Sequence, residues 1–185
     1  MFNQLLNIVS SAHWQENSHP NNCTKKILSW LLDEASLTKK LEQQCKIFTV
    51  EVKLQVNTDA NESKLSQLFP APEPILVREV LLRCDGMANI FAQTEIPHRT
   101  LTDKQKNLAQ IGSESLGKFL FQNVTLQRGS IEIAEFPIGS PLHDLCGSLQ
   151  QPCEHSLWAR RSLFYIENKP LLVSEVFLPA SGIYQ

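Results

Sequence analysis

The sequence has no surplus of positive charge: 17 Lys and Arg stand against 19 Asp and Glu, a formal net charge of −2. Little is left over to neutralise a phosphate backbone, which argues against nucleic acid as the main partner. No stretch approaches the ~20 consecutive apolar residues that cross a bilayer. The opening MFNQLLNIVSSAHW lacks the basic start and long apolar run of an export signal, so neither membrane insertion nor export is expected. Glycine is sparse, with 7 residues, no phosphate-cradling Gly-rich loop and no internal repeat, which removes the common nucleotide enzymes. The five cysteines, Cys23, Cys45, Cys84, Cys146 and Cys153, are odd in number and scattered. They suit a reducing, cytoplasmic setting better than a disulfide framework. Cys146 and Cys153 have no second pair at metal-ligand spacing, so no metal site is expected.

What is present suits one domain over residues 1–185: 42% of the chain is hydrophobic, enough for a single core. Thr24 and Ser36 stand where they can cap two short helices, the first with Ile27, Leu28, Leu31 and Leu32 at helical spacing, the second with Leu37 and Leu41. Residues 49–56 alternate strictly, with Val50, Val52, Leu54 and Val56 on one face of a strand. Strands over 75–83 and 88–96 join through Cys84-Asp85-Gly86-Met87, a strong hairpin signal. Thr102 stands to cap a helix through Ile111 that Gly112 closes, and Leu116, Phe119 and Leu120 mark another helix. Strands over 124–135 and 158–167 follow, then a hairpin turning at Asn168-Lys169-Pro170 into a last strand over 171–178. Hairpin-joined strands with helices inserted in pairs predict an α+β fold, a single antiparallel sheet with helices packed mainly on one side. Residues 1–23 read as a loosely attached N-terminal segment, and 136–156, with Pro137, Gly139, Pro141, Gly147 and Pro152, as a long irregular insertion.

Two charges fall on apolar strand faces. Arg78 shares a face with Leu76, Val80 and Leu82, while Glu79 shares the other with Val77 and Leu81. Glu175 lies with Leu171, Val173 and Phe177, in a strand whose other face is also largely apolar. A buried ion costs several kcal/mol without a partner, so such groups must pair, bind a ligand or, for a glutamate, take up a proton. A bridge from Arg78 to Glu175, or to neighbouring strands, is the plain structural alternative to a ligand site. The segments starting Ser36-Leu37 and Ser115-Leu116 offer free N–H groups at helix starts, as any capped helix does, and both leucines read equally as packing residues. The five histidines, His13, His19, His98, His143 and His155, sit in no nucleophile motif. Arg160 and Arg161 read as solvated or cross-strand residues.

Taken together, LLDEASLTKKLEQQ, LVREVLLRCDG, SLGKFLFQ, LWARRSLFYIENKPLL and SEVFLPASGIY resemble, in order and spacing, the chorismate lyase of ubiquinone biosynthesis over about residues 27–184. The resemblance implies a sheet whose ligand is sealed beneath two helix-turn-helix flaps. It also implies cofactor-free conversion of chorismate into 4-hydroxybenzoate and pyruvate. The family's aromatic acid would be held by Arg78, by Glu175 and by the backbones of Leu37 and Leu116, with Arg78 on a substrate carboxylate and Glu175 as acid/base. Leu37 stands where a bacterial relative carries Met, Gln93 stands where relatives often have Arg, and the 136–155 stretch is longer than the family pattern. A cytoplasmic monomer with chorismate and 4-hydroxybenzoate as its small-molecule partners is the expected state. The rival is a non-catalytic sensor or carrier, because effector domains of certain bacterial repressors look like this fold. Too few residues precede the sheet for a DNA-binding domain, which favours the enzyme.

Overall fold

The computed structural model describes residues 8–16, 23–59, 64–68 and 73–184. Seven strands, β1 (Gln15–Glu16), β2 (Phe48–Asp59), β3 (Pro74–Cys84), β4 (Met87–Pro97), β5 (Gln127–Phe136), β6 (Leu157–Ile166) and β7 (Lys169–Phe177), form one sheet in the order β1-β5-β6-β7-β4-β3-β2. Every neighbouring pair is antiparallel. Besides the helical residues 8–10, the α-helices among the described residues are α1 (Lys25–Leu31), α2 (Leu37–Glu42), α3 (Leu116–Phe121) and α4 (Pro141–Ser148), with 3-10 turns over Lys64–Leu68, His98–Thr100 and Asp103–Gln110.

Turn chemistry sets the hairpins. Asp85 and Gly86 have φ of +48° and +84°, the doubly left-handed pair of a two-residue turn whose twist matches its strands. The Asp85 carboxylate also accepts the backbone N–H groups of Lys46 and Ile47, which fixes the entry of β2. The last hairpin turns one residue earlier than the sequence suggested. Glu167 and Asn168 carry the positive φ, +52° and +63°, while Lys169 and Pro170 already pair with Ile166 and Tyr165. In β2 the register shifts between Val52 and Leu54, so the expected alternation breaks. Val50 and Val52 lie opposite Leu82 and Val80, whereas Leu54 and Val56 lie opposite Glu79 and Val77, on the other face.

The sheet carries apolar residues on both faces. On one, Val80, Leu82, Ile90, Ala92 and Phe177 pack against Trp30, Leu31, Leu37 and Leu41 of α1 and α2. Leu76, Ile96, Phe164 and Leu171 pack against Leu108, Ile111, Leu116 and Leu120. On the other, Leu81, Phe91, Ala159 and Val176 are covered by Leu142, Leu145 and Cys146. The 136–156 stretch is therefore not simply irregular: it contains α4, which has Pro141 in its first turn and buries Leu142, Leu145 and Cys146. Within residues 1–23, expected to be loosely attached, Val9 is buried in that same cluster and β1 pairs with β5; residues 1–7 and 17–22 lie outside the described residues. Thr24 and Ser36 cap α1 and α2 as expected, accepting from Ile27 N and Lys39 N. Thr102 does not cap: the segment after it is 3-10, and its hydroxyl bonds Lys169 Nζ and Arg99 O instead. No helix among the described residues is long and apolar enough to cross a membrane.

Candidate active site

Between helices α2 and α3 and the face of the sheet that they cover lies a narrow cavity. Arg78, Glu175, Leu37 and Leu116 all line it. Register explains their convergence. Arg78 on β3 pairs with Thr94 on β4, Thr94 with Val173 on β7, and Val173 with Ser162 on β6, so these four share a row across one face. Two residues further along β7, Glu175 sits between Ala92 of β4 and Arg160 of β6. Ala92, Thr94 and Val173 form a floor of small side chains, and the charged groups stand around it.

The charges are held by different means. Arg78 is 2% exposed and donates through Nη2 to the carbonyls of Gly112 (2.7 Å) and Glu114 (3.3 Å); Nε is buried with no hydrogen-bond partner among the described residues. Burial pulls its guanidinium below the usual range, yet it stays charged, because an arginine has far to fall before it loses its proton. The Arg78–Glu175 bridge considered from the sequence does not form. Glu175 accepts instead from Arg160, Nε to Oε2 at 2.6 Å, and Arg160 donates through Nη1 to the carbonyls of Trp30 (3.0 Å) and Asp33 (2.6 Å). Arg160 thus has the cross-strand role read from the sequence, but it also lines the cavity, at 2% exposure. Arg161 points to the opposite face and pairs with Glu132 at 2.7 Å.

Two short helix pairs close the cavity. Ser36 and Ser115 each accept from the N–H three residues on, so Leu37 and Leu116 are the first residues of their helices and their own N–H groups have no intrahelical acceptor. The two helix starts meet directly: Thr38 Oγ1 and Ser115 Oγ are 2.7 Å apart and buried. Gly117 permits the contact, since a Cβ there would stand 2.5 Å from Thr38 Oγ1.

Sequence reasoning missed Arg128, Thr38 and Gly117. Arg128 lines the cavity from β5, bonding Ser162 Oγ through Nε at 3.0 Å and the carbonyls of Asp33 (3.3 Å) and Glu34 (3.1 Å) through Nη1. Its local sequence, Gln127-Arg128-Gly129-Ser130, carries no apolar alternation to mark it as inward. Gln93 does not touch the cavity. It lies on the other face and donates to Glu79 Oε1 at 3.1 Å, so the missing positive charge bears on Glu79 rather than on a ligand. Among the described residues no three His, Cys, Asp or Glu side chains gather as a metal site.

Comparison with known proteins supplies the chemical context. The sequence model of the chorismate lyase family matches residues 8–185. A probable chorismate pyruvate-lyase of Psychromonas ingrahamii is 52% identical over 177 residues, covering 96% of this chain and 95% of that protein. The chorismate pyruvate-lyase of Proteus mirabilis is 31% identical, covering 100% and 99%. Among solved structures, PhnF from Mycobacterium smegmatis superposes with a TM-score of 0.58 at 13% identity, over 95% of this chain and 76% of that one. A PhnF C-terminal domain gives 0.56 at 19% identity, over 80% and 94%. The structural likeness concerns the α+β fold alone.

Proposed function

The chain belongs to the chorismate lyase family, and on that premise we propose how this carbon–oxygen lyase turns chorismate into 4-hydroxybenzoate and pyruvate. The observation that carries the reading is that Arg78 and Glu175 line one cavity roofed by the first turns of α2 and α3. Arg78 anchors the ring carboxylate, with the N–H groups of Leu37 and Leu116 completing the anion contacts. The cavity then presents the ring's C3 ether and C4 hydrogen to Glu175, whose Oε2 is held by Arg160 while Oε1 has no hydrogen-bond partner among the described residues. Glu175 takes the C4 proton as the C3–oxygen bond breaks. The ring becomes aromatic, and the now protonated Glu175 gives its proton to the methylene carbon of the departing enolpyruvate, where it becomes a methyl hydrogen of pyruvate and the carboxylate is restored. Aromatisation supplies much of the driving force, so the protein mainly orients the substrate and excludes water, and no cofactor is needed.

We further propose that the protein works as a cytoplasmic monomer of one domain and that its product feeds ubiquinone synthesis. The test is to incubate purified protein with chorismate and a metal chelator, following 4-hydroxybenzoate and pyruvate separately. Equimolar formation of both, lost in Glu175→Gln, supports the lyase and its proton-transfer residue. Saturable 4-hydroxybenzoate binding without turnover would favour a sensor.

A further inference from the structure

Chorismate carries two carboxylates, one on the ring and one on the enolpyruvyl ether, whereas 4-hydroxybenzoate carries one. The cavity wall holds three guanidinium groups, Arg78, Arg128 and Arg160, and one carboxylate, Glu175. Arg160 is committed to Glu175. Arg78 and Arg128 have only neutral acceptors among the described residues: backbone carbonyls for Arg78, and backbone carbonyls with the Ser162 hydroxyl for Arg128. Three acids act on Arg128 through space, Glu175 ahead of Glu34 and Asp33, yet none gives it a carboxylate hydrogen bond. Glu175 is paired with Arg160 and the Asp33 carboxylate with Lys40 at 2.7 Å, while Asp33 and Glu34 offer their backbone carbonyls. Two cations that line one cavity with no carboxylate hydrogen-bonded to either suit a dianion.

We propose that Arg128 binds the enolpyruvyl carboxylate of the substrate, opposite the ring carboxylate on Arg78. This rests on the lyase reading and deepens it by assigning the second charge. The placement suits the role. Arg78, Thr94, Val173 and Ser162 occupy successive strands, and at ~4.8 Å per strand Ser162 lies about 14 Å across the sheet from Arg78. Because Arg128 Nε bonds Ser162, its guanidinium stands over that far end, leaving the floor between the two cations for a ring with a carboxylate toward each. Phe164 backs the Arg128 guanidinium, with Cζ 5.2 Å from the ring centroid, and the bonds to Asp33, Glu34 and Ser162 fix its orientation. Nη2 has no hydrogen bond among the described residues, so a donor remains for the ligand. After elimination, the carboxylate on Arg128 belongs to pyruvate and the one on Arg78 to 4-hydroxybenzoate, so each product retains one anchor.

A residue that only props the flap would weaken every ligand alike, whereas an anchor for the enolpyruvyl carboxylate is blind to the aromatic product. Arg128→Gln is expected to lower kcat/KM for chorismate by about 10- to 100-fold while the Kd of 4-hydroxybenzoate shifts by less than about threefold. Arg128→Lys, which keeps the charge but not the fork, should fall between Gln and wild type in kcat/KM with the same unchanged product affinity. Parallel loss of both affinities in the two variants, or unchanged kcat/KM in Arg128→Gln, overturns the assignment. Wild-type protein that binds 4-hydroxybenzoate but never converts chorismate overturns the lyase reading itself, a separate result from either.

Discussion

Arg160 and Glu175 stand opposite each other on adjacent antiparallel strands, and Arg160 joins that carboxylate to the backbone of the segment that ends α1. Glu175 is therefore positioned by the strand on one side and, through Arg160, by the flap on the other. Removing one member of such a buried pair leaves a desolvated charge, at a cost of about 3–5 kcal/mol. Arg160→Met is expected to lower stability by that order and kcat/KM by at least about 100-fold. Denaturant titration of Arg160→Met, Glu175→Gln and the double variant checks the coupling. The double should lose less stability than the two singles summed, and strict additivity would mean that the pair does not act as a unit.

The hydroxyl contact between Thr38 and Ser115 joins the two flaps across 77 residues of sequence. A buried neutral hydrogen bond contributes about 1 kcal/mol, so its loss should open the closed state measurably without unfolding the sheet. Thr38→Val, which keeps the shape and removes the hydroxyl, is expected to weaken 4-hydroxybenzoate binding about fivefold, mainly through faster release in stopped flow. Thr38→Ser should restore the wild-type release rate. Unchanged release in Thr38→Val would show that the flaps part elsewhere.

Gly117 places its backbone against that contact, where an added Cβ would lie 2.5 Å from Thr38 Oγ1 and 3.3 Å from Thr38 Cβ. Gly117→Ala should therefore force the flaps apart and weaken product binding more than Thr38→Val does. Combining it with Thr38→Ala removes the clashing oxygen, so the double variant is expected to bind 4-hydroxybenzoate more tightly than Gly117→Ala alone. Isothermal titration of the three proteins decides it.

The sheet was readable because period-2 alternation and an Asp-Gly turn are local signals, and Arg78 and Glu175 stood out as charges on apolar faces. Their separation was not readable. Which arginine meets Glu175 depends on β6 lying beside β7 in a particular register, a property of pairing rather than of any single strand. Arg128 escaped notice because its strand alternates poorly near its start, where the register shifts between Arg128 and Ile131. The face reversal in β2 was hidden for the same reason: a bulge changes the phase of a pattern without changing its composition. In the 136–156 stretch, prolines and glycines suggested irregularity, but Pro141 sits where a helix tolerates proline and Gly147 falls near the helix end.

On the face away from the cavity, Leu54, Glu79, Gln93, Ser174, Arg161 and Glu132 form another row across the strands. Glu79 is fully buried; it accepts from Gln93 through Oε1, and its Oε2 has no hydrogen-bond partner among the described residues. Arg161 in the same row pairs with Glu132 and feels Glu95, so it is not given over to Glu79. Burial pushes the Glu79 carboxyl up from 4.5 to about 7, with the Gln93 hydrogen bond opposing the shift. In the unfolded chain the group returns to its ordinary value, so between pH 4.5 and 7 the folded protein binds more protons and loses stability as pH rises. The contribution is complete below the unfolded value, lost through pH 7, and worth roughly 3 kcal/mol in all. Glu79→Gln should remove this slope and be the more stable protein at pH 8. Gln93→Arg, which sets a cation beside the carboxylate, should lower the Glu79 pKa and likewise favour the folded state at pH 8 relative to pH 5. Denaturant midpoints of the three proteins at both pH values test this, and a wild-type slope shared by Glu79→Gln would assign the pH dependence to other groups.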